Sequence, residues 1–158
     1  MMMPKASTVR DESRIQRVRA ILLTGQNSLL LIKRIKPSSP TPYWVAPGGG
    51  VEASDQDLEA ALARELLEEL GARIEVLSEA FVLRHEKAGK RLEEHFFICR
   101  LLGYDLSLRH GPEFEDPTRG QYLPDVIELT PTGIRSVYMQ TYELKTWLLE
   151  NLAMLRRL

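Results

Sequence analysis

Two aliphatic runs open the chain. Ile15 to Leu23 and Ser28 to Lys36 are dominated by Ile, Leu and Val and are separated by Thr24-Gly25-Gln26-Asn27. This pattern predicts a β-hairpin. Pro37-Ser38-Ser39-Pro40-Thr41-Pro42 holds three prolines and predicts a stiff loop, followed by a short strand at Tyr43 to Ala46. The period then changes. Leu58, Leu62, Leu66 and Leu70 recur at every fourth position, as a helix with one buried stripe requires. Ser54 and Asp55 are its candidate N-caps and Gly71 its candidate C′ residue. Ala72 to Glu86 and Arg91 to Leu102 predict two long strands joined by a turn at Lys87-Ala88-Gly89-Lys90. Gly103 to Pro124 is rich in Gly and Pro and predicts loop, with a strand following at Val126 to Leu129. Leu144, Trp147, Leu148 and Leu152 place a second helix over Tyr142 to Leu155. Strands and helices in this order predict an α/β (α+β) fold, a mixed sheet sandwiched by helices.

Composition narrows the class without naming a function. A chain of 158 residues fits one domain, with residues 1–14 as a polar, frayed tail and 15–158 as the folded unit. The tail lacks the apolar core of a secretory signal. No apolar stretch reaches the ~18 residues of a membrane span. The net charge of −1 offers no general attraction to nucleic acid or anionic lipid. The one cysteine, Cys99, lies in an apolar run and reads as a buried, inert thiol. His85, His95 and His110 have no zinc-like spacing.

The chemistry concentrates in the first helix. At about 100° per residue, Glu65, Glu68 and Glu69 fall on one arc about 100° wide, beside the leucine stripe. Three carboxylates so close repel one another, and a hard divalent cation with oxygen ligands, Mg²⁺ or Mn²⁺, relieves that repulsion. The helix is entered through Pro47-Gly48-Gly49-Gly50, and glycines let backbone approach a ligand closely.

The segment Arg64-Glu65-Leu66-Leu67-Glu68-Glu69-Leu70-Gly71, with its glycine entry, resembles the Nudix box, G-x5-E-x7-R-E-U-x-E-E-x-G-U, where U is a bulky aliphatic residue. Tyr43-Trp44-Val45-Ala46-Pro47 and Val51-Glu52 on its flank also resemble the family. The sequence departs from the pattern at two places. Ala72 stands at the last aliphatic position, and counting from Gly50 puts Gln56 where the family has Glu. Counting from Gly49 instead puts Asp55 there, with one residue inserted before the helix. We favour this second alignment, because loops absorb insertions and an acid is retained.

The resemblance implies an αβα Nudix fold. It also implies metal-dependent attack of water on the diphosphate bridge of a nucleoside diphosphate linked to a group X. Glu65, Glu68 and Glu69 are then the metal ligands, Gly49 and Gly50 supply backbone carbonyl oxygen, and Arg64 orients Glu68 one turn away. Glu65 is also a candidate base. Glu52 matches the Glu that follows the glycines in the family. A further acid from a downstream loop completes some family sites, and Glu113, Glu115 and Asp116 are candidates, with Glu93 and Glu94 behind them. For substrate contacts we single out Glu52, Tyr43, Trp44, Glu115 and Arg119. Phe81, Phe97, Phe114, Tyr122 and Tyr138 are further stacking candidates, and Arg34, Lys36, Arg84 and Arg100 further phosphate candidates. The expected partner is a small-molecule nucleotide, with no membrane and no nucleic acid, for a cytoplasmic monomer or homodimer. The short chain leans toward nucleoside triphosphates; nucleotide sugars such as ADP-ribose and dinucleoside polyphosphates remain open. The altered first half of the box is the one feature that favours a non-catalytic nucleotide-binding or sensor module.

Overall fold

The aliphatic runs pair as a hairpin, but only at its closed end. A computed structural model describes residues 14–25 and 27–158; the expected tail, Arg14 apart, lies outside the described residues. Strands β1 (Ile15–Thr24) and β2 (Ser28–Lys36) meet at Leu22↔Leu30 and Thr24↔Ser28 and then splay apart. Strand β3 (Ser39–Val45) fills the opening against β2, and the three-residue strand β4 (Gly48–Gly50) fills it against β1. Across the sheet, β1 runs parallel to β6 (Lys90–Tyr104), which pairs antiparallel with β5 (Ala72–Lys87). Strand β7 (Gln121–Glu128) closes the far edge on β2. The sheet is therefore mixed, as expected, with order β3-β2-β1-β6-β5.

Alternation along the strands divides the core into two layers. Val18, Ala20, Leu22, Leu30, Ile32, Phe97 and Cys99 face helix α1 (Leu58–Leu70), whose Leu62, Leu66 and Leu70 are fully buried. Ile21, Leu23, Leu29, Leu31, Phe96 and Ile98 face the opposite side. There α3 (Pro131–Arg135) and α4 (Tyr142–Glu150) cover them through Ile134, Leu144 and Leu148. The result is the αβα sandwich. Cys99 is buried, and burial pushes its thiol up to about 12, in keeping with an inert core residue.

Four expectations change. Residues 39–42 are strand, not loop, because β3 has no second strand beyond it and an edge tolerates Pro40 and Pro42. Helix α1 is capped by Asp57, whose side chain accepts from the Ala60 N–H, rather than by Ser54 or Asp55. The stretch before Pro124 is more ordered than its glycines suggest. It holds α2 (Pro112–Glu115) between two 3₁₀ turns, and β7 begins at Gln121, its Pro124 again on an edge. The last helix breaks at Asn151, whose side-chain amide donates to the Trp147 carbonyl, and resumes as α5 (Leu152–Leu155). Gly71 ends α1 in the left-handed region (φ 60°), as expected.

Candidate active site

Where β1 and β2 part, the backbone of β4 passes directly over α1. Gly48 has φ +149°, and a Cβ there would collide with the Val18 carbonyl oxygen. A Cβ on Gly49 would collide with the Glu65 carboxylate, whereas Gly50 faces open space. The glycine run thus brings strand backbone against the acidic helix face at two positions where no side chain fits.

The three carboxylates do not share one environment. Glu69 is buried, receives the Gly48 N–H and lies near Arg19. Burial pushes it up to about 8; Arg19 opposes the shift, while Glu65 and Glu113 add to it. Glu65 is half-buried, and burial likewise raises it, offset in part by Arg64. Glu68 is the most accessible of the three.

Arg64 organises this face. Its Nε and Nη2 donate to the two oxygens of Asp55, each at 2.9 Å, and Nη2 also donates to the Gly50 carbonyl at 2.9 Å. Its Nη1 donates to Glu65 at 3.1 Å and to Glu68 at 3.3 Å, with Glu52 3.5 Å away. The guanidinium in turn holds the Asp55 carboxyl at about 2, well below its ordinary range. Asp55 therefore supplies the acid that pairs with the helix arginine, in line with the alignment that starts at Gly49, while Gln56 is exposed. Among the described residues, no three acidic, His or Cys side chains already converge as a metal-holding group. Glu65 and Glu68 are turned onto Arg64 instead.

Opposite the helix lies a cleft of about 330 Å³, walled by Arg17, Arg34, Tyr43, Glu113, Arg119 and Tyr122. Arg34 is buried and pairs with no carboxylate among the described residues: both terminal nitrogens donate to the Arg119 carbonyl (3.2 and 2.6 Å), and its Cζ lies 3.5 Å from the Tyr122 ring centre. Arg109 braces the end of α1, donating from Nε to the Glu69 carbonyl at 2.8 Å. Behind the cleft, Arg19 donates to Glu94 at 2.9 Å, and Glu94 meets His85 Nε2 at 2.6 Å. Burial pushes Glu94 up, but Arg19 and His85 outweigh it and leave the group below its ordinary range.

Of the residues singled out from the sequence, Glu65, Glu69, Gly49, Gly50, Tyr43 and Arg119 line the cleft; Arg64 and Glu68 are not part of its lining and join it through the Arg64 contacts to Gly50 and Glu65. Glu52 touches the site only through Arg64, from an exposed loop. Trp44 points away, donating to Asp125 and packing into the α4 layer. Glu115 is not part of the lining; Glu113, two residues earlier in α2, is. Arg84 and Arg100 pair elsewhere, with Glu93 and Glu75. Arg17 and Arg19 were not anticipated. The available signal was two arginines alternating with Val18 and Ala20 in an otherwise apolar strand.

A family model for the NUDIX domain matches residues 14–130. Among solved structures, a NUDIX hydrolase from Nitrosomonas europaea superposes with TM-score 0.67 at 17% identity, covering 85% of this chain and 86% of that one. A C. elegans Ap4A hydrolase gives 0.65 at 19% identity over 91% and 99%. An ADP-ribose pyrophosphatase from Streptococcus suis gives 0.55 at 19% identity over 86% and 90%. Identities this low establish the fold. No curated protein matches by sequence.

Proposed function

The chain belongs to the Nudix family of pyrophosphate-bond hydrolases, and on that premise we propose that it is a divalent-metal-dependent enzyme cleaving nucleoside diphosphates linked to a group X. The observation that carries this reading is the Asp55–Arg64–Glu65/Glu68 network beside a buried Glu69. The donor set fits a hard cation. The oxygens of Glu65, Glu68 and Glu69 and the backbone of Gly49 are of the type Mg²⁺ and Mn²⁺ prefer. The cradle at Gly49, which a Cβ would fill, leaves Glu65 room beside that backbone. Bound there, the metal neutralises phosphate charge and lowers the pKa of water.

The chain's own groups do the rest. Arg64 holds Glu65 and Glu68 in position. Arg17, Arg34 and Arg119 bind the phosphates, Arg34 and Arg17 having no carboxylate partner among the described residues. Glu65, raised by burial, is our choice for the group that takes the proton of the attacking water. Glu113 adds the downstream acid, and Tyr43 offers a ring to a base. The pairing of Asp55 with Arg64 supports the catalytic reading over a non-catalytic sensor, whose one support was the altered first half of the box. No helix among the described residues is long and apolar enough to cross a membrane. We assign the enzyme to the cytoplasm, as a monomer or homodimer acting on soluble nucleotides rather than nucleic acid.

The test is chromatographic detection of nucleoside monophosphate from a nucleotide panel in Mg²⁺, Mn²⁺ and EDTA. Metal-dependent product from one class is expected, falling at least ~100-fold in Glu68→Gln, which removes a charged ligand without changing size. Thermal stabilisation by a nucleotide without turnover would refute the enzyme in favour of the sensor.

A further inference from the structure

The segment that carries Glu113 is fastened at both ends and gripped in the middle by a ring. Before it, residues 105–110 lie along the end of α1. The Asp105 N–H donates to the Gly71 carbonyl at 3.1 Å, the His110 N–H to the Glu68 carbonyl at 2.9 Å, and Arg109 Nε to the Glu69 carbonyl at 2.8 Å. After it, Gly120 passes so close to β2 that a Cβ would collide with the Ile35 carbonyl oxygen. Between these points, residues 111–118 hydrogen-bond, among the described residues, only to one another and to Arg119 and Gly120. Their four-residue helix α2 starts at Gly111 (φ 130°) without a side-chain capping bond. So short a helix does not hold its own place.

Phe114 supplies the inward contact. The Arg109 guanidinium lies over its ring, with Cζ 4.5 Å from the centre, and Phe114 meets Tyr122 edge to face at 5.1 Å. Tyr122 stands opposite Arg34 in the β2–β7 pair and carries that guanidinium on its own face. Two rings therefore stand between two cations, and each cation is tied to a backbone carbonyl, of Glu69 at one end and of Arg119 at the other. A cation is drawn to the negative face of a ring, more strongly as water is excluded, and edge-to-face rings also attract. Arg109 keeps this position although its Nη2 is buried with no hydrogen-bond partner, so the ring and the Glu69 carbonyl outweigh an unmet donor. Neither Arg109 nor Phe114 lines the cleft, but Glu113 does. Its carboxylate is folded over Gly111, where a Cβ would meet it at 2.9 Å.

We infer that Arg109 is a positioning residue: through Phe114 it fixes α2 against the end of α1 and so holds Glu113 at the cleft. One guanidinium touches both the backbone of Glu69 and the ring beside Glu113, and the spacing of those two acids follows from it. The inference rests on the hydrolase reading above, in which Glu113 is the downstream acid.

A double-mutant cycle separates positioning from general support of the fold. Arg109→Leu and Phe114→Leu are each made in the wild type and in Glu113→Gln, and kcat and KM are measured in Mg²⁺ with ATP, ADP-ribose and Ap4A as probes. In the wild type each change is expected to lower kcat about tenfold or more and to shift KM less than about threefold, since neither side chain touches the cleft. In Glu113→Gln the same changes should cost less than about twofold, because the group they position is already gone. Equal losses in both backgrounds, or no loss in the wild type, overturn the inference. Phe114→Leu leaves the Arg109 bond to α1 in place and carries the test should Arg109→Leu fail to fold. Hydrogen exchange of residues 111–118 in EDTA answers without turnover: either change should speed it about tenfold, and unchanged exchange overturns the inference. Absence of turnover on every probe overturns the hydrolase reading instead, and the exchange measurement still judges the hold of Arg109 on α2.

Discussion

Asp55→Asn isolates the contact on which the site's organisation turns. In the wild type both Asp55 oxygens accept from Arg64, and the Asp55 side chain is only 6% exposed, so solvent screens the pair weakly. The carboxyl sits at about 2 rather than 3.8. At ~1.4 kcal/mol per pKa unit, that displacement corresponds to at most about 2.5 kcal/mol of folding stability. The sign follows from the direction. A depressed carboxyl contributes fully above its ordinary value, and the contribution is lost as pH falls toward about 2. Asn keeps one acceptor but no charge. The variant should therefore unfold about 1–2 kcal/mol more easily at neutral pH, a Tm lower by roughly 3–8 °C for a chain of this size. The gap should close as pH falls from about 4 to about 2. Turnover should fall as well, about tenfold, since Arg64 also steers Glu65 and Glu68 and catalytic geometry is sensitive to small displacements. Urea titrations across pH and steady-state kinetics read both effects. Gln56→Ala is the control; it is exposed and should change stability by less than about 0.5 kcal/mol. If Asp55→Asn matches Gln56→Ala in stability and turnover, or if its deficit persists unchanged at low pH, the assignment of Asp55 as the anchor of Arg64 is wrong.

Three further outcomes are expected. Glu69, raised to about 8, stays protonated in the folded protein through a pH range where the unfolded chain has lost that proton. Metal-free stability should therefore fall as pH rises from the ordinary carboxyl range toward 8, while the Tm gained on adding Mg²⁺ should grow over the same window; a gain that shrinks with pH would contradict this. Gly49→Ala should cost most of the turnover with little loss of fold, because its methyl meets the movable end of Glu65, whereas Gly50→Ala should be nearly silent in the same assay. Leu66→Ala, at a fully buried position of α1, should destabilise by about 2–5 kcal/mol in chemical denaturation, and a much smaller loss would mean the α1 layer is not packed as described.

Much of this was legible from residue pattern, and what was not has identifiable causes. The leucine stripe and the strand alternation define α1 and the two core layers because burial imposes those periods directly. The acidic arc of α1 was readable for the same reason, being fixed by helix geometry alone. Pro40, Pro42 and Pro124 misled because their cost depends on whether a strand lies at an edge, and that is decided by distant pairing. The choice of Glu113 over Glu115, and the outward turn of Trp44, follow from how α2 and β3 sit against the sheet. Arg17 and Arg19 escaped notice because their strand was read for its apolar residues, while their role comes from the splay between β1 and β2.

The parallel pairing of β1 with β6 joins Ile15–Leu23 to Leu92–Arg100, segments more than seventy residues apart in the chain. Loop closure over that span must precede its reward, so it delays folding. During synthesis β1 emerges with β2 but waits for its central neighbour until β6 has left the ribosome. In that interval an aliphatic strand destined for the middle of a sheet has an open edge, a template for association with other chains. Fragments ending before β6 are expected to aggregate rather than fold, and the yield of soluble protein should depend on temperature and chaperone supply during expression more than the finished structure suggests.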